Sequence, residues 1–478
     1  MRVGVIGAGP AGLTAAYRLQ QLGAQVELFE ASSTVGGLAR TIELWGQRVD
    51  MGPHRFFSKD ARVNRLWLEV IGRDYRMVER CTRIFYGGRF YDYPLRATNA
   101  LRTMGPGRAA ACLASYAREL LSPSCPPESI RTFEDWVVSR FGRQLYEMFF
   151  KSYSEKLWGI PCHELDADFA AQRIKGFSLG EAVRDMLGLN KGSHRTLVDL
   201  FAYPTAGTGE VYERMSRAVV EAGGKVHLSR PIRKVATDGS TVIGIEPTDG
   251  PPLAFDHVVS TMPLTHLVRG LGTLPAEVER ATANLRYRNT ILVFLHVEAV
   301  DLFKDQWVYV HAPSVGTGRV TNFRNWVPEL YGEQRSSVLA CEYWCYDEDA
   351  IWTEADATLV DRATRELREI SLLAGQPVIG GHVVRLPRCY PVYASGYKAA
   401  LDPIVEHLRK FANLWPIGRY GSFKYNNQDH SILMGLLAAE NIMQGAGHDL
   451  WAINTDYDTY QEEAVIDATG LVESAAPA

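Results

Sequence analysis

The sequence predicts an α/β protein in which a parallel sheet with flanking helices is combined with a helical segment and an antiparallel sheet. Three observations lead to this prediction. Short apolar runs alternate with a helical pattern from residue 2, helical periodicity dominates between 96 and 195, and strand patterns dominate from 280 to 405. With 478 residues, the chain is long enough for two or three such units, each with its own core.

The first unit opens with a short apolar strand, a glycine-rich turn, a helix and a second apolar strand. Gly7 allows a tight turn, Gly9 lets backbone approach a pyrophosphate, and Gly12 lets the helix pack close to the strand. Ala11 lies in the first turn of the helix, where unpaired N–H groups attract phosphate. Glu30 ends the second strand, where a carboxylate accepts hydrogen bonds from a ribose. The pattern predicts a Rossmann-like dinucleotide-binding unit.

A second glycine pair, Gly36 and Gly37, is followed by Leu38. This stretch resembles the GG motif of the flavoprotein superfamily that contains amine oxidases, protoporphyrinogen oxidases and UDP-galactopyranose mutases. In that superfamily the motif wraps the FAD pyrophosphate, so the resemblance implies FAD rather than NAD and a GR2-type FAD-binding domain. The superfamily usually has arginine before the glycine pair, whereas this chain has Val35. A surface turn is the alternative interpretation.

Composition limits the partners and the location. The net charge of −4 gives no reason to expect a nucleic-acid partner, and no apolar stretch approaches the length of a membrane span. Because the first strand begins at residue 2, we expect no secretion signal. The seven cysteines are scattered without a CxxC pair, which indicates reduced cysteines in a cytoplasmic protein and no metal site. The oligomeric state stays open, with a homodimer among the alternatives.

Local signals suggest where the units begin and end. Apolar residues on both sides of Gly87 and Gly88 predict a two-residue hairpin, and Thr132 with Asp135 predicts a capping box. Strand patterns return after the helical segment, near Val226. We therefore expect a discontinuous FAD-binding domain, a helical insertion and an antiparallel-sheet substrate domain, at residues 1–95, 205–275 and 410–465, at 96–195, and at 280–405, respectively.

Three further stretches resemble UDP-galactopyranose mutases more than amine oxidases. They are GPHRFFSKD at 52–60, KSYSEKLWG at 151–159 and GRYGSFKY at 418–425, and they occur in the same order as in the mutases. The chain also departs from that pattern. The mutases usually carry an aromatic residue and an aspartate after the position of Tyr425, whereas this chain has two asparagines. The resemblance therefore does not specify the sugar.

The resemblance implies a catalytic set of Arg173, Arg319 and His54. Two arginines offer bidentate donors to a diphosphate and lower the negative charge of a leaving nucleotide. His54 would approach the flavin ring through its loop, and Arg419 would lie against the cofactor. The alternative for Arg173 is a solvated arginine on a helix, and the alternative for His54 is a hydrogen-bonded histidine in a loop. The alignment that matches Arg319 to the second arginine of the family is loose.

The resemblance also implies a substrate-binding set. Tyr153 and Trp158 would lie in the cleft near the nucleotide sugar, and the hydroxyls of Tyr390 and Tyr425 would bind phosphate, with Asn426 beside them. Each residue also has a structural alternative. A tryptophan at a helix end is more often part of a core, and the two tyrosines could simply end strands.

Taken together, the motifs favour a FAD-dependent sugar-nucleotide mutase. In the resembling family, N5 of reduced FAD displaces a nucleoside diphosphate from the anomeric carbon, and another hydroxyl of the bound sugar then closes the ring. We thus expect pyranose–furanose type isomerisation of an NDP-sugar, with FAD active in its reduced form. The rival is a flavin oxidoreductase of the amine oxidase or desaturase type that acts on a less polar substrate. A third alternative is an FAD-binding protein without catalytic activity.

Overall fold

In the computed structural model, residues 1–93, 95, 97–169, 200–454 and 464–473 are described. A parallel five-stranded sheet forms the first half of the molecule. Its central strands are almost entirely buried, as the continuous apolar runs predict for a sheet covered on both faces. The strands lie in the order Leu414–Pro416, His257–Ser260, Arg2–Ile6, Gln25–Phe29 and Lys225–His227.

Helices cover this sheet and bring distant parts of the chain to the glycine-rich turn. Helix Pro10–Gln21 packs against helix Gln428–Gln444, and the backbones approach closely at Gly435. A Cβ atom added to Gly435 would lie 2.6 Å from the carbonyl oxygen of Ala11. Helix Gly209–Glu221 packs on the same first helix. The predicted Rossmann-like unit is confirmed.

A seven-stranded sheet forms the second half. One of its faces packs on helix Asp356–Glu369, and the other faces the parallel sheet's loops. The strands lie in the order Val378–Pro391, Tyr287–Val297, Ser337–Cys345, Arg319–Asn322, Trp307–Val310, Thr82–Tyr86 and Arg89–Asp92. The predicted α/β class, with a second sheet beside the parallel one, is therefore confirmed.

The predicted hairpin at Gly87 and Gly88 is confirmed, but its position in the fold is not what its sequence number suggests. Thr82–Tyr86 pairs in parallel with Trp307–Val310, so the hairpin forms the edge of the seven-stranded sheet. This sheet is therefore mixed and not purely antiparallel. Alternation with a period of two predicts a strand but carries no information about its partner.

The segment from 97 to 169 is helical, as predicted. The capping box of Thr132 and Asp135 opens its third helix. The stretch from Gln144 to Trp158 contains a π-helical turn at Glu147–Lys151. The helices are Ala97–Met104, Pro106–Leu121, Phe133–Phe141, Arg143–Tyr146 and Ser152–Trp158. The part of the predicted insertion after residue 169 lies outside the described residues.

Smaller elements connect the two halves. The remaining helices are Ala61–Ile71, Leu264–Arg269, Ala276–Asn284, Tyr397–Leu408 and Gly418–Gly421. The remaining strands are Thr41–Leu44 with Gln47–Asp50, Tyr75–Glu79 with Leu200–Pro204, Ile232–Asp238 with Thr241–Pro247 and Leu253–Ala254, and Ala464–Asp467 with Gly470–Glu473.

All seven cysteines are free thiols, and five are buried. Among the helices that the structure describes, none has the length and apolar character needed to cross a membrane.

Candidate active site

Two glycine loops face each other at the carboxyl end of the parallel sheet. A Cβ atom added to Gly37 would lie 3.0 Å from the Cα of Gly9, and one added to Gly9 would lie 3.9 Å from the Cα of Gly37. The N–H of Gly36 donates to the carbonyl of Ala8 at 2.8 Å, which joins the loops. Gly36 and Gly37 both have positive φ, which other residues adopt with strain. We call this backbone-lined space the glycine cradle.

The three glycines of the first motif have different tasks. A Cβ atom on Gly12 would lie 1.9 Å from the carbonyl oxygen of Gly7, so Gly12 is required by the turn itself. Gly7 has a φ of +97° and donates its N–H to Phe29 at 2.8 Å. By contrast, the position of Gly9 is open on the protein side, because Gly37 alone among the described residues lies within 4 Å of an added Cβ. A side chain at Gly9 would therefore extend into the cradle.

Glu30 is held in place at the edge of the cradle. Its Oε2 accepts the N–H of Ala8 at 2.7 Å, and its Oε1 accepts the N–H and hydroxyl of Ser32 at 2.8 and 2.9 Å. A carboxylate offers about four lone-pair sites, so Glu30 retains acceptor capacity for a ribose hydroxyl. Leu38, the last predicted cofactor residue of this region, lies in the short 3₁₀ turn Gly37–Ala39.

Arg319 and Glu342 form a buried ion pair on the seven-stranded sheet. They are direct cross-strand neighbours, and the guanidinium donates to both carboxylate oxygens at 2.6 and 2.7 Å. The side chains are only 18% and 2% exposed. Burial opposes the charge on Arg319, but Glu342 outweighs it and raises the pKa of Arg319. A Cβ atom added to Gly52 would lie 3.8 Å from Arg319, which places the pair beside the loop that carries His54.

Arg419 lies against two of the predicted substrate tyrosines. Its Nε donates to the carbonyl of Cys389 at 2.6 Å and its Nη1 to that of Asn426 at 2.9 Å. Its Cζ lies 4.6 Å from the ring centre of Tyr390 and 4.2 Å from that of Tyr425, and the two rings stack at 5.5 Å. The preceding Gly418 touches the glycine motif, since a Cβ there would lie 2.9 Å from that of Ala11. Arg419 therefore connects the cradle to the aromatic residues.

His54 is a neutral imidazole near two cations. Burial, together with the charges of Arg319 and Arg419, lowers the pKa of His54 to about 3. Its Nδ1 is buried and has no hydrogen-bond partner among the described residues. The hydroxyl of Thr208 donates to the carbonyl of His54 at 2.8 Å and fixes the loop. An orphaned buried nitrogen of this kind is suited to a ligand atom.

The helix Ser152–Trp158 contributes two aromatic residues to the same region. Trp158 is completely buried, and its ring lies 6.1 Å from Tyr390 and 5.7 Å from Tyr425, edge to face. Tyr153 stacks on His311 at 4.7 Å. The predicted residues Tyr153, Trp158, Tyr390, Tyr425, Arg319, Arg419 and His54 therefore lie together.

The outcome differs for two further predicted residues, Asn426 and Arg173. The side chain of Asn426 is buried, its Nδ2 lies 3.2 Å from the sulfur of Met434, and its Oδ1 accepts from Asn454 at 2.8 Å. The side chain of Asn426 therefore contacts other residues of the protein, Met434 and Asn454. Arg173 lies outside the described residues, so its role as a diphosphate ligand stays a prediction.

Asp50 was not predicted as a site residue, but it supports the loop that carries His54. Its fully buried carboxylate accepts hydrogen bonds from the hydroxyl of Thr41 at 2.6 Å, the hydroxyl of Tyr203 at 2.8 Å and the N–H of Thr208 at 3.2 Å. Burial raises the pKa of Asp50 to about 6, although these donors act in the opposite direction. Asp50 and Thr208 together anchor the loop of His54. Glu342 was also not predicted as a site residue, because a single acidic residue in an apolar strand does not indicate which basic residue it pairs with.

Comparison with known proteins decides the family. Residues 10–399 match the family described as flavin containing amine oxidoreductase. The chain belongs to this family. A zeta-carotene desaturase of Capsicum annuum is 26% identical over 282 residues, which are 51% of this chain and 44% of that protein. A "Probable UDP-galactopyranose mutase" of Klebsiella pneumoniae is 27% identical over 172 residues, 34% of this chain and 42% of that protein.

Among solved structures, a reduced UDP-galactopyranose mutase superposes with a TM-score of 0.83 at 22% identity, covering 95% of this chain and 98% of that chain. A putrescine oxidase bound to putrescine gives 0.63 at 17% identity, covering 93% and 99%. These likenesses confirm the fold expected from the motifs. The chain spans about half the length of the curated relatives it matches.

Membership in a flavin-containing family implies FAD, and the glycine cradle fits this cofactor. The observation is geometric: a Cβ atom at Gly9 would occupy space that the two loops otherwise leave to a ligand. The N-terminus of helix Pro10–Gln21 adds N–H groups without helical partners on the same side.

Proposed function

We propose that this protein is a FAD-dependent sugar-nucleotide mutase that isomerises an NDP-sugar between pyranose and furanose forms. The observation that carries the proposal is the convergence of Arg319 and Arg419 near a neutral His54, with the rings of Tyr390 and Tyr425 beside them. Cations and phenol hydroxyls in one buried region suit a diphosphate. The TM-score of 0.83 with a reduced UDP-galactopyranose mutase supports the same assignment.

The cofactor would be held by the glycine cradle. We assign its pyrophosphate to the backbone around Gly9, Ala11 and Gly37, and its ribose to Glu30. The turn geometry at Gly7, Gly12, Gly36 and Leu38 maintains this arrangement. When bound, reduced FAD supplies the nucleophile for sugar transfer.

The protein's own residues then act by charge and position. Negative charge builds on the diphosphate as the bond to the sugar breaks, so a fixed cation stabilises the transition state more than the ground state. Arg319 is fixed by Glu342, and Arg419 by two backbone carbonyls. The low pKa of His54 keeps its ring uncharged at neutral pH, so it neither repels these cations nor competes for the anion.

A second function has an observation in its favour. The carboxylate of Glu342 neutralises Arg319, so this pair has no net charge to offer an anion. The matches to desaturases, over about half of the chain, agree with an oxidoreductase that acts on a less polar substrate. In that case Arg173 would be a surface or structural residue.

The deciding experiment is Arg173→Ala in the FAD-loaded protein. If Arg173 binds the diphosphate, turnover of an NDP-sugar by chemically reduced enzyme should fall about 10²–10³-fold, with FAD retained. Affinity for the nucleoside diphosphate is measured by calorimetry. The matched control is Arg76→Ala, an exposed arginine paired with Glu329, which should change neither quantity.

The wild-type protein separates the two functions. Reduced enzyme is mixed anaerobically with candidate NDP-sugars, and the products are separated. An isomer formed without net consumption of reductant supports the mutase. Stoichiometric consumption of an electron acceptor without an isomer, together with unchanged behaviour of Arg173→Ala, would establish the oxidoreductase instead.

A further inference from the structure

The two faces of the seven-stranded sheet differ in chemistry. The face toward helix Asp356–Glu369 carries Val320, Cys341 and Tyr343, which pack into an apolar cluster with that helix. Side chains alternate along a strand, so the neighbours of these residues point to the other side. That side carries the Arg319–Glu342 pair and faces the loop of His54.

Three more polar side chains share the face of Arg319 and Glu342. Thr321 lies two positions after Arg319, and Trp307 is its direct cross-strand neighbour. Trp344 lies two positions after Glu342 on the next strand. The residues Trp307, Thr321, Arg319, Glu342 and Trp344 form what we call the cleft face, with hydrogen-bonding groups on both sides of the ion pair.

The polar atoms of these three side chains are buried and unsatisfied. Trp307, Thr321 and Trp344 are 4%, 0% and 7% exposed. Trp307 Nε1, Thr321 Oγ1 and Trp344 Nε1 have no hydrogen-bond partner within the part of the chain that the structure describes. An indole N–H can only donate, so its partner must be an acceptor atom that the described residues do not provide. Buried polar groups without partners are uncommon and call for an explanation.

We propose that the cleft face binds the hydroxyl-bearing sugar part of the substrate, with Trp307, Thr321 and Trp344 as specificity-determining residues. This inference rests on the proposed function and adds the chemical class that the face recognises. A hydrocarbon substrate would leave all three polar atoms unpaired, whereas sugar oxygens accept from indoles and exchange hydrogen bonds with a hydroxyl. Trp344 also lies edge-on to Tyr153 at 5.6 Å and to Tyr390 at 6.4 Å, inside the predicted substrate group.

The test compares Thr321→Val with wild type, using calorimetry on the FAD-loaded protein with two probes. One probe is UDP, and the other is the tightest binder among UDP-galactose, UDP-glucose and UDP-N-acetylglucosamine. Valine has nearly the shape of threonine without its hydroxyl. The affinity for the UDP-sugar should fall about 5- to 30-fold while the affinity for UDP stays unchanged. Trp344→Phe, which keeps a ring but loses the N–H, should shift the same ratio in the same direction.

Thr282→Val is the matched control. Thr282 is also buried, but its hydroxyl donates to the carbonyl of Val278 within its own helix at 2.7 Å. The substitution should therefore change neither the affinity for UDP nor that for the UDP-sugar. The thermal midpoint of ligand-free Thr321→Val should stay level or rise, since an unpaired buried hydroxyl has been removed.

Five outcomes would overturn the inference. Unchanged UDP-sugar affinity in both variants would show that only water meets these groups. An equal loss for UDP and UDP-sugar would assign them to the nucleotide. Loss of FAD or a shifted flavin spectrum would assign them to the cofactor. If wild type binds UDP and binds no UDP-sugar more tightly than UDP, this inference fails alone. If wild type binds neither UDP nor any other nucleoside diphosphate, the proposed function fails with it.

Discussion

The glycine cradle and the cleft face differ in the kind of atoms that compose them. The cradle is built from backbone within one short stretch, from Gly7 to Gly37, and it depends on side chains being absent. The cleft face and its aromatic neighbours are built from side chains on separate strands and helices, and most of these side chains hold one another. A damaging substitution in the cradle therefore adds a side chain that fills the ligand space. A damaging substitution in the cleft removes a side chain and leaves its neighbour without an interaction partner.

The largest expected effect concerns the cradle. Gly9→Val should abolish FAD binding while the protein still folds, because the added side chain enters the ligand space and its Cβ comes within 4 Å of Gly37 alone among the residues that the structure describes. The ratio of flavin to protein absorbance gives the result, and circular dichroism reports folding. Gly107→Val is the control, since no atom of the described part of the chain lies within 4 Å of a Cβ there. A yellow Gly9→Val protein would show that the cradle is not the pyrophosphate site.

The next effect concerns the ion pair of the cleft face. Arg319→Met should lower the free energy of unfolding by about 3–5 kcal/mol, because it leaves the carboxylate of Glu342 buried without its partner. Urea unfolding measures the change, and adding Glu342→Leu to the first variant should recover part of it. Arg286→Met removes an exposed pair with Glu348 and should cost about 1 kcal/mol or less. Equal losses in the two arginine variants would contradict the buried pair.

The smallest expected effect is a pH dependence of the free energy of unfolding that comes from Asp50. Because burial raises the pKa of Asp50 to about 6 from 3.8, the folded state holds the proton more tightly than the unfolded state. Its contribution to stability is complete below about pH 4 and is lost as the pH rises to about 6. Relative to Asp50→Asn, the unfolding free energy of wild type should fall by about 2–3 kcal/mol over this range.

This difference isolates Asp50 from the opposing histidines. The lowered pKa values of His54 and His311 make stability rise with pH over part of the same range, but they act equally in wild type and variant. Urea unfolding at several values between pH 4 and 7 gives the profile. The exposed Asp301→Asn should leave it unchanged. A flat difference between wild type and Asp50→Asn would show that Asp50 has an ordinary pKa.

The sequence was most informative where structure is local. The strand–turn–helix of the first unit, the hairpin at Gly87 and the capping box at Thr132 each follow from neighbouring residues, and all three are confirmed. The resemblance also indicated the residues that meet around Arg419. Glu342 and Asp50 were not predicted, because a buried acidic residue takes its meaning from partners on other strands. The periodicity of a strand does not predict that Arg319 forms an ion pair with Glu342 on the next strand.

The parallel pairing of Thr82–Tyr86 with Trp307–Val310 has a consequence for how the chain is made. The first of these strands leaves the ribosome more than two hundred residues before its partner. At roughly 5–20 residues per second, its edge waits roughly 10–45 s for that partner. The parallel sheet is in a similar position, since Arg2–Ile6 must wait for His257–Ser260 on one side. Both sheets therefore close late, and the nascent N-terminal part exposes strand edges that invite wrong pairing.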